Sequence, residues 1–207
     1  LAALAIERDL WVVSDEAYEH ILFDGAKHVS MASLPGMAER TLSAYTFSKT
    51  YSMTGWRVGY LVSPPALRGI SGRILSLYST HGVFPSVQSA ALAAVTGPQD
   101  EAERMRAAYQ ERRDLLLGGL VGQTAISLPI PKGAFYAFPD VGGAMSGDLW
   151  ALADEWLGMG VAVLPGTAFG PEFTTRVRMS LATKREDIEE AARRIRERVS
   201  TPAGARR

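Results

Sequence analysis

The sequence predicts an α/β protein: a mainly parallel sheet between two helical layers, an αβα arrangement, followed by a smaller α+β domain. Three observations carry this. Residues 10–14 are a short, continuously apolar run and 42–47 are a second apolar run, the pattern of strands covered on both faces. Both runs end in polar residues, Asp15-Glu16-Ala17-Tyr18 and Ser48-Lys49-Thr50, and open α/β sheets bind ligands at strand carboxyl ends. Beyond Gly122 the pattern changes to short strands alternating with helices. We place the large domain at 1–110 and the small one at 111–207.

Taken in order, Leu1, Leu4 and Ala5 have helical spacing, with no initiating Met and no capping residue ahead of them. We therefore expect the sequence to be part of a longer protein. The strand at 10–14 follows, then a loop and a short helix over 19–40 with turns at Asp24-Gly25 and Leu34-Pro35-Gly36. After the strand at 42–47, residues 56–62 read as a third strand. They follow too closely for a helical crossover, so this strand is expected to be antiparallel to its neighbour. Helices are predicted over 67–79, over 85–95 with Pro85 in the first turn and Gly97-Pro98 as the stop, and over 100–117 as a long charged helix bridging the domains. His81-Gly82-Val83-Phe84 is a candidate pocket rim. The second domain reads as strands at 133–139, 161–164 and 176–181. A helix at 148–157 buries Leu149, Leu152, Ala153 and Trp156, and a final helix to about 199 opens on a Thr183-Lys184-Arg185-Glu186 capping box. Residues 201–207 are expected to fray.

Composition bounds the chemistry. Lys plus Arg and Asp plus Glu stand at 22 each, so net charge gives no reason to expect nucleic acid or an anionic membrane as partner. With no cysteine there is no disulfide, no thiolate chemistry and no thiolate zinc site, and an intracellular, cytoplasmic life fits. His20, His28 and His81 are too scattered to suggest a metal site. No apolar run reaches the roughly 18 residues of a membrane span.

The most informative stretch is 41–60. A strand runs into a turn that holds Lys49 among Thr46, Ser48, Thr50, Ser52 and Thr54; Arg57 follows eight residues after the lysine, between Gly55 and Gly59. An amine able to condense with an aldehyde, beside hydroxyls and a guanidinium able to hold a phosphate, is what a phosphate-bearing aldehyde cofactor needs.

These residues resemble a known family. Ser14-Asp15-Glu16-Ala17-Tyr18, Ser48-Lys49-Thr50, Gly55-Trp56-Arg57-Val58-Gly59-Tyr60 and Val177-Arg178-Met179-Ser180 look like the ordered motifs of class I/II aminotransferases, the fold-type I pyridoxal-phosphate enzymes of amino acid metabolism. The resemblance covers essentially the whole chain and implies the partial large domain and small domain described above.

By that resemblance Lys49 matches the lysine that bonds to pyridoxal phosphate and then moves the substrate α-proton. Asp15 matches the aspartate that keeps the pyridine nitrogen protonated. Tyr18 matches the tyrosine that hydrogen-bonds the phenolic oxygen. Arg57, with Thr46 and Ser48, matches the phosphate grip, where a planar fork suits a dianion. Gly55 and Gly59 allow close backbone approach. Arg178 matches the arginine that clamps the substrate carboxylate, in a strand that puts Arg176 on the same face. Each has a plainer alternative: a solvated lysine, an aspartate capping a helix, a core tyrosine, a surface-paired arginine.

The resemblance further implies a homodimer and a protein of about twice this length. A phosphate-cup glycine turn, a ring-stacking aromatic and an asparagine would all lie upstream. Three functions share these motifs: transamination between an amino acid and a 2-oxo acid, a carbon–sulfur β-lyase reaction, and a non-catalytic sensor domain of a transcription regulator. The sequence names no substrate.

Overall fold

The computed structural model describes residues 1–78, 82–145 and 147–200. The expected last residue of the third helix, Ser79, together with His81 and the 201–207 tail, lies outside them. The chain divides into two units, Leu1–Arg104 and Met105–Arg207.

The first unit opens with helix α1 (Ala2–Glu7) and strand β1 (Val12–Asp15). Strand β2 (Thr41–Thr46) passes without a loop into the single-turn helix α2 (Phe47–Thr50), and β3 (Gly59–Val62) completes a sheet of order β1-β2-β3. β1 and β2 are parallel, with Asp15 opposite Ala44. β2 and β3 are antiparallel, with Thr46 opposite Gly59, as the short connection requires. Helices α3 (Pro65–Tyr78) and α4 (Pro85–Thr96) follow. Ala91 of α4 packs on Phe47, Met53 and Val58, flanked by Val87 and Ala94, so α4 supports the turn that carries Lys49.

Sequence and structure part in two places here. Val13 is 73% exposed and β3 is exposed on both of its faces, so within this chain the sheet lacks the two-sided cover that the apolar runs suggested. Trp56 and Arg57 do not begin β3. Trp56 ends a 3-10 turn (Thr54–Trp56), and Arg57 adopts a left-handed conformation at φ 52° and ψ 52° before the strand starts.

Helix α5 (Asp100–Leu120) spans the boundary between the units, and Asp100, Glu101 and Glu103 complement the dipole of its first turn. In the second unit, β4 (Tyr136–Ala137) and β5 (Leu164–Pro165) pair antiparallel with the central β6 (Val177–Ser180). These strands are shorter than the apolar runs suggested. Ala134 has a left-handed φ of 59°, which breaks the extended run from 133, and Pro139 and Pro165 lack the amide hydrogen a ladder needs.

Helix α6 (Leu149–Gly158) is capped by Asp148, whose carboxylate accepts the Ala151 amide at 2.8 Å, and it buries Trp156 completely. Helix α7 (Arg185–Ser200) buries Ile188, Ala192 and Ile195. The expected capping box is replaced: Thr183 Oγ1 donates to Asp187 Oδ2 at 2.7 Å.

Candidate functional site

Asp15, Tyr18, Thr46, Ser48, Lys49 and Arg57 all belong to the first unit, at the carboxyl end of its parallel strand pair. Asp15 ends β1, and the Glu16 amide continues the ladder by donating to Ala44 O at 2.9 Å. Alternation then fixes the side chains: Asp15 shares the open face with Val13, while Glu16 turns inward with Ser14. The Asp15 carboxylate has no hydrogen bond or ion pair among the described residues. Tyr18 sits in the turn that follows, half-buried, its carbonyl accepting the Ile21 amide at 3.0 Å.

One strand over, Thr46 is the N-cap of α2: its backbone is still extended, and its hydroxyl accepts the Ser48 amide at 3.1 Å. The cap turns the strand into a helix at once, which fixes half-buried Lys49 three residues beyond the strand end. Ser48 is buried beside it. The loop then closes on itself. Thr54 Oγ1 donates to Ser48 O at 3.0 Å, Arg57 Nη1 donates to Thr54 O at 3.0 Å, and the Phe47 amide donates to Val58 O at 3.2 Å.

Gly59 lies opposite Thr46, and a Cβ there would come within 2.4 Å of Tyr45 O, so only glycine fits. Gly55 faces open space, so close approach does not account for it. Since neighbouring strands lie about 4.8 Å apart, the register sets Asp15, Thr46 and the Arg57–Gly59 corner in adjacent rows. Tyr45 and Tyr60 stack at 4.8 Å, and with Leu61, Leu75 and Val83 they line a cavity of about 690 Å³ next to this end of the sheet.

Glu16 is a member of the neighbourhood for which sequence reasoning assigned no role. Its carboxylate accepts from Ser14 Oγ at 2.8 Å and Ser30 Oγ at 2.9 Å, and it contacts His28 Nε2 closely. Burial alone would raise its pKa; the donors from Ser14, Ser30 and His28 outweigh that and hold it below the ordinary glutamate value of 4.5. The one signal in the sequence was the Ser14-x-Glu16 spacing on an inward face. Nearby, burial raises the pKa of Glu19, and burial followed by the Glu19 charge raises those of Tyr51 and Tyr60.

Arg178 belongs to the second unit and is described within it. Val177 and Met179 are buried on one face of β6, leaving Arg176 and Arg178 half-buried on the other. Arg176 is engaged, donating to Phe138 O at 3.1 Å with Asp140 at 3.9 Å. Arg178 has no carboxylate or hydrogen-bond acceptor among the described residues; its guanidinium lies over the Tyr136 and Phe169 rings. Those two rings were not foreseen, since they come from separate segments.

The model of the family "Aminotransferase class I and II" matches residues 1–195. The chain belongs to the class I and II aminotransferase family. It is 42% identical over 197 residues to an arginine–pyruvate transaminase of Pseudomonas aeruginosa, covering 94% of this chain and 49% of that one. It is 39% identical over 207 residues to an aspartate aminotransferase of Musicola paradisiaca, covering 97% and 50%.

Among solved structures, an aromatic aminotransferase of Pyrococcus horikoshii superposes with a TM-score of 0.89 at 38% identity, covering 95% of this chain and 52% of that one. An aspartate aminotransferase of Thermus thermophilus with maleate gives 0.84 at 37% identity, covering 96% and 50%. The chain thus spans about half the length of the relatives it matches, and its fold is part of the fold-type I aminotransferase architecture. Enzymes of this family depend on pyridoxal phosphate. The donor set fits that group: an amine, a carboxylate that has no partner and a guanidinium that bonds only a backbone carbonyl among the described residues, and hydroxyls at a strand end.

Proposed function

We propose that the protein carrying this chain is a pyridoxal-phosphate-dependent transaminase that moves an amino group between an amino acid and a 2-oxo acid. The observation that carries this is the register at the sheet's carboxyl end: Asp15 ends one parallel strand, and Thr46, Ser48 and Lys49 follow directly from its neighbour. When bound, pyridoxal phosphate supplies an aldehyde that condenses with amines and a ring that accepts electrons.

Lys49 would anchor it and would carry the proton taken from the substrate α-carbon. Asp15, unpartnered among the described residues, would pair with the ring nitrogen and keep it protonated. Tyr18 would donate to the phenolic oxygen. Thr46, Ser48 and Arg57 hold the phosphate, Arg57 through the donors that Thr54 O leaves available. Arg178 takes the substrate carboxylate, a role favoured over Arg176 because Arg176 already has Phe138 O and Asp140.

In this reading, residues 1–110 are the C-terminal half of the cofactor-binding domain and 111–207 the small domain. The protein works as a cytoplasmic homodimer. The exposed Ile70, Ile74, Leu75 and Leu77 of α3 are the kind of surface that further polypeptide covers.

The test is a visible absorption spectrum of the purified protein with pyridoxal phosphate, with and without Lys49→Ala. The lysine-bound band is expected only in the parent protein. Amino acid added alone should convert the cofactor once per site to its amine form. Catalytic release of pyruvate and ammonia instead would make the protein a lyase, and an unchanged band in Lys49→Ala would overturn the anchor.

A further inference from the structure

Arg178 is a half-buried cation whose donors meet no acceptor among the described residues, while two aromatic rings hold its flat group. Its Cζ lies 4.5 Å from the Tyr136 ring centroid and 4.9 Å from that of Phe169. Strand pairing accounts for the first ring. Tyr136 is opposite Ser180, so it emerges on the face of β6 that carries Arg178, one diagonal step away.

A turn locked by its own backbone accounts for the second. Phe169 follows β5 through a 3-10 turn (Gly166–Ala168), with the Gly166 amide on Arg176 O at 2.7 Å and the Phe169 amide on Gly166 O at 2.8 Å. A Cβ on Gly166 would come within 2.6 Å of both Arg176 O and Phe173 O, so the turn cannot shift to relieve a side chain. Phe169 is braced edge-to-face by Phe138 at 6.0 Å, and Phe138 in turn by Phe173 at 5.3 Å. A guanidinium stacked on a ring keeps its N–H donors, which lie in its plane, for other partners.

We propose that Tyr136 and Phe169 are positioning residues that fix the plane of the Arg178 guanidinium and so present its N–H edge to a planar carboxylate of the substrate. This rests on the reading of Arg178 as the carboxylate-binding residue. An arginine free to rotate must be ordered each time substrate binds, whereas one held by two rings has already lost that freedom. The clamp therefore acts on substrate affinity and leaves the cofactor alone.

The test uses the whole holoenzyme with L-arginine, L-aspartate or L-phenylalanine as donor and pyruvate as acceptor, keeping the donor that responds best. Phe169→Leu and Tyr136→Leu should each raise the donor KM by about five- to thirty-fold, the worth of one cation–π contact, with kcat changed by less than about three-fold. The substrate-free cofactor spectrum should be unchanged. Phe169→Tyr and Tyr136→Phe, which keep the rings, should restore the parent KM. Arg178→Lys serves as the reference for the underlying reading and should lose more than either ring deletion.

If Arg178→Lys loses affinity while both leucine variants keep the parent KM, the clamp is overturned and the reading of Arg178 stands. If Arg178→Lys binds donor as well as the parent, or no donor changes the parent's spectrum, that reading falls and the clamp with it. A leucine variant that loses its cofactor band or its kcat instead of its KM also overturns the proposal. The second ring supplies the test where one variant fails to fold.

Discussion

Replacing Glu16 with Gln tests how the end of β1 is held. The side chain is only 2% exposed and accepts from Ser14, Ser30 and His28, two of which lie 12 and 14 residues along the chain. It thereby ties the loop around residue 28 to the strand that ends in Asp15. Glutamine keeps the shape, and the two hydroxyls can reverse to meet its amide, so the change removes charge and leaves packing nearly intact. Hydrogen bonds to an ionised group contribute about 1.5–3 kcal/mol and neutral ones about 1; with three shared donors and partial rehydration of His28, we expect a loss of about 1–2 kcal/mol. Glu16→Ala, which also leaves a cavity, should cost about 3 kcal/mol.

The sign with pH follows from the depressed pKa. The stabilisation from the carboxylate is complete above the ordinary glutamate value of 4.5 and is lost as pH falls through the lower folded value. The gap between parent and Glu16→Gln should therefore close as pH falls below about 4.5. Urea unfolding of the first unit, read by amide exchange across residues 12–16, measures this. A neutral Glu16→Gln at pH 7, or a gap that widens as pH falls below about 4.5, would refute the reasoning.

Three further outcomes follow from single positions. Arg57→Gly removes a side chain from a left-handed backbone, so stability should rise by about 0.5–1 kcal/mol in urea unfolding. Pyridoxal phosphate affinity, read by equilibrium dialysis, should fall at least about ten-fold, and a fall in both would deny the strain. Gly59→Ala drives a methyl into Tyr45 O and should cost about 2–3 kcal/mol or prevent folding of the first unit, read by the same amide exchange. Asp148→Ala removes the α6 cap and should cost about 1 kcal/mol in thermal unfolding, with Asp148→Asn recovering most of it.

What could be read in advance was what lies close along the chain. The Thr46–Lys49 turn depends on residues within three positions and the antiparallel return to β3 on a connection too short for a crossover, and both appear as expected. Arg57 was misjudged as a strand residue because its conformation is set by Thr54, which binds both Ser48 O and, through its own carbonyl, the Arg57 guanidinium. The Glu16 network and the Arg178 clamp were invisible for a different reason. Each joins segments whose nearness exists only after the strands pair: residue 16 with 28 and 30, and residue 178 with 136 and 169.

The bare sheet is the reverse case. Apolar runs at 10–14 and 42–47 imply cover on both sides, yet Val13 and β3 are exposed in this chain. A sequence written for burial beside a surface that stays bare is a statement about what the strands are built to contact. Val13 shares its face with Asp15, so whatever covers Val13 must also come close to that carboxylate.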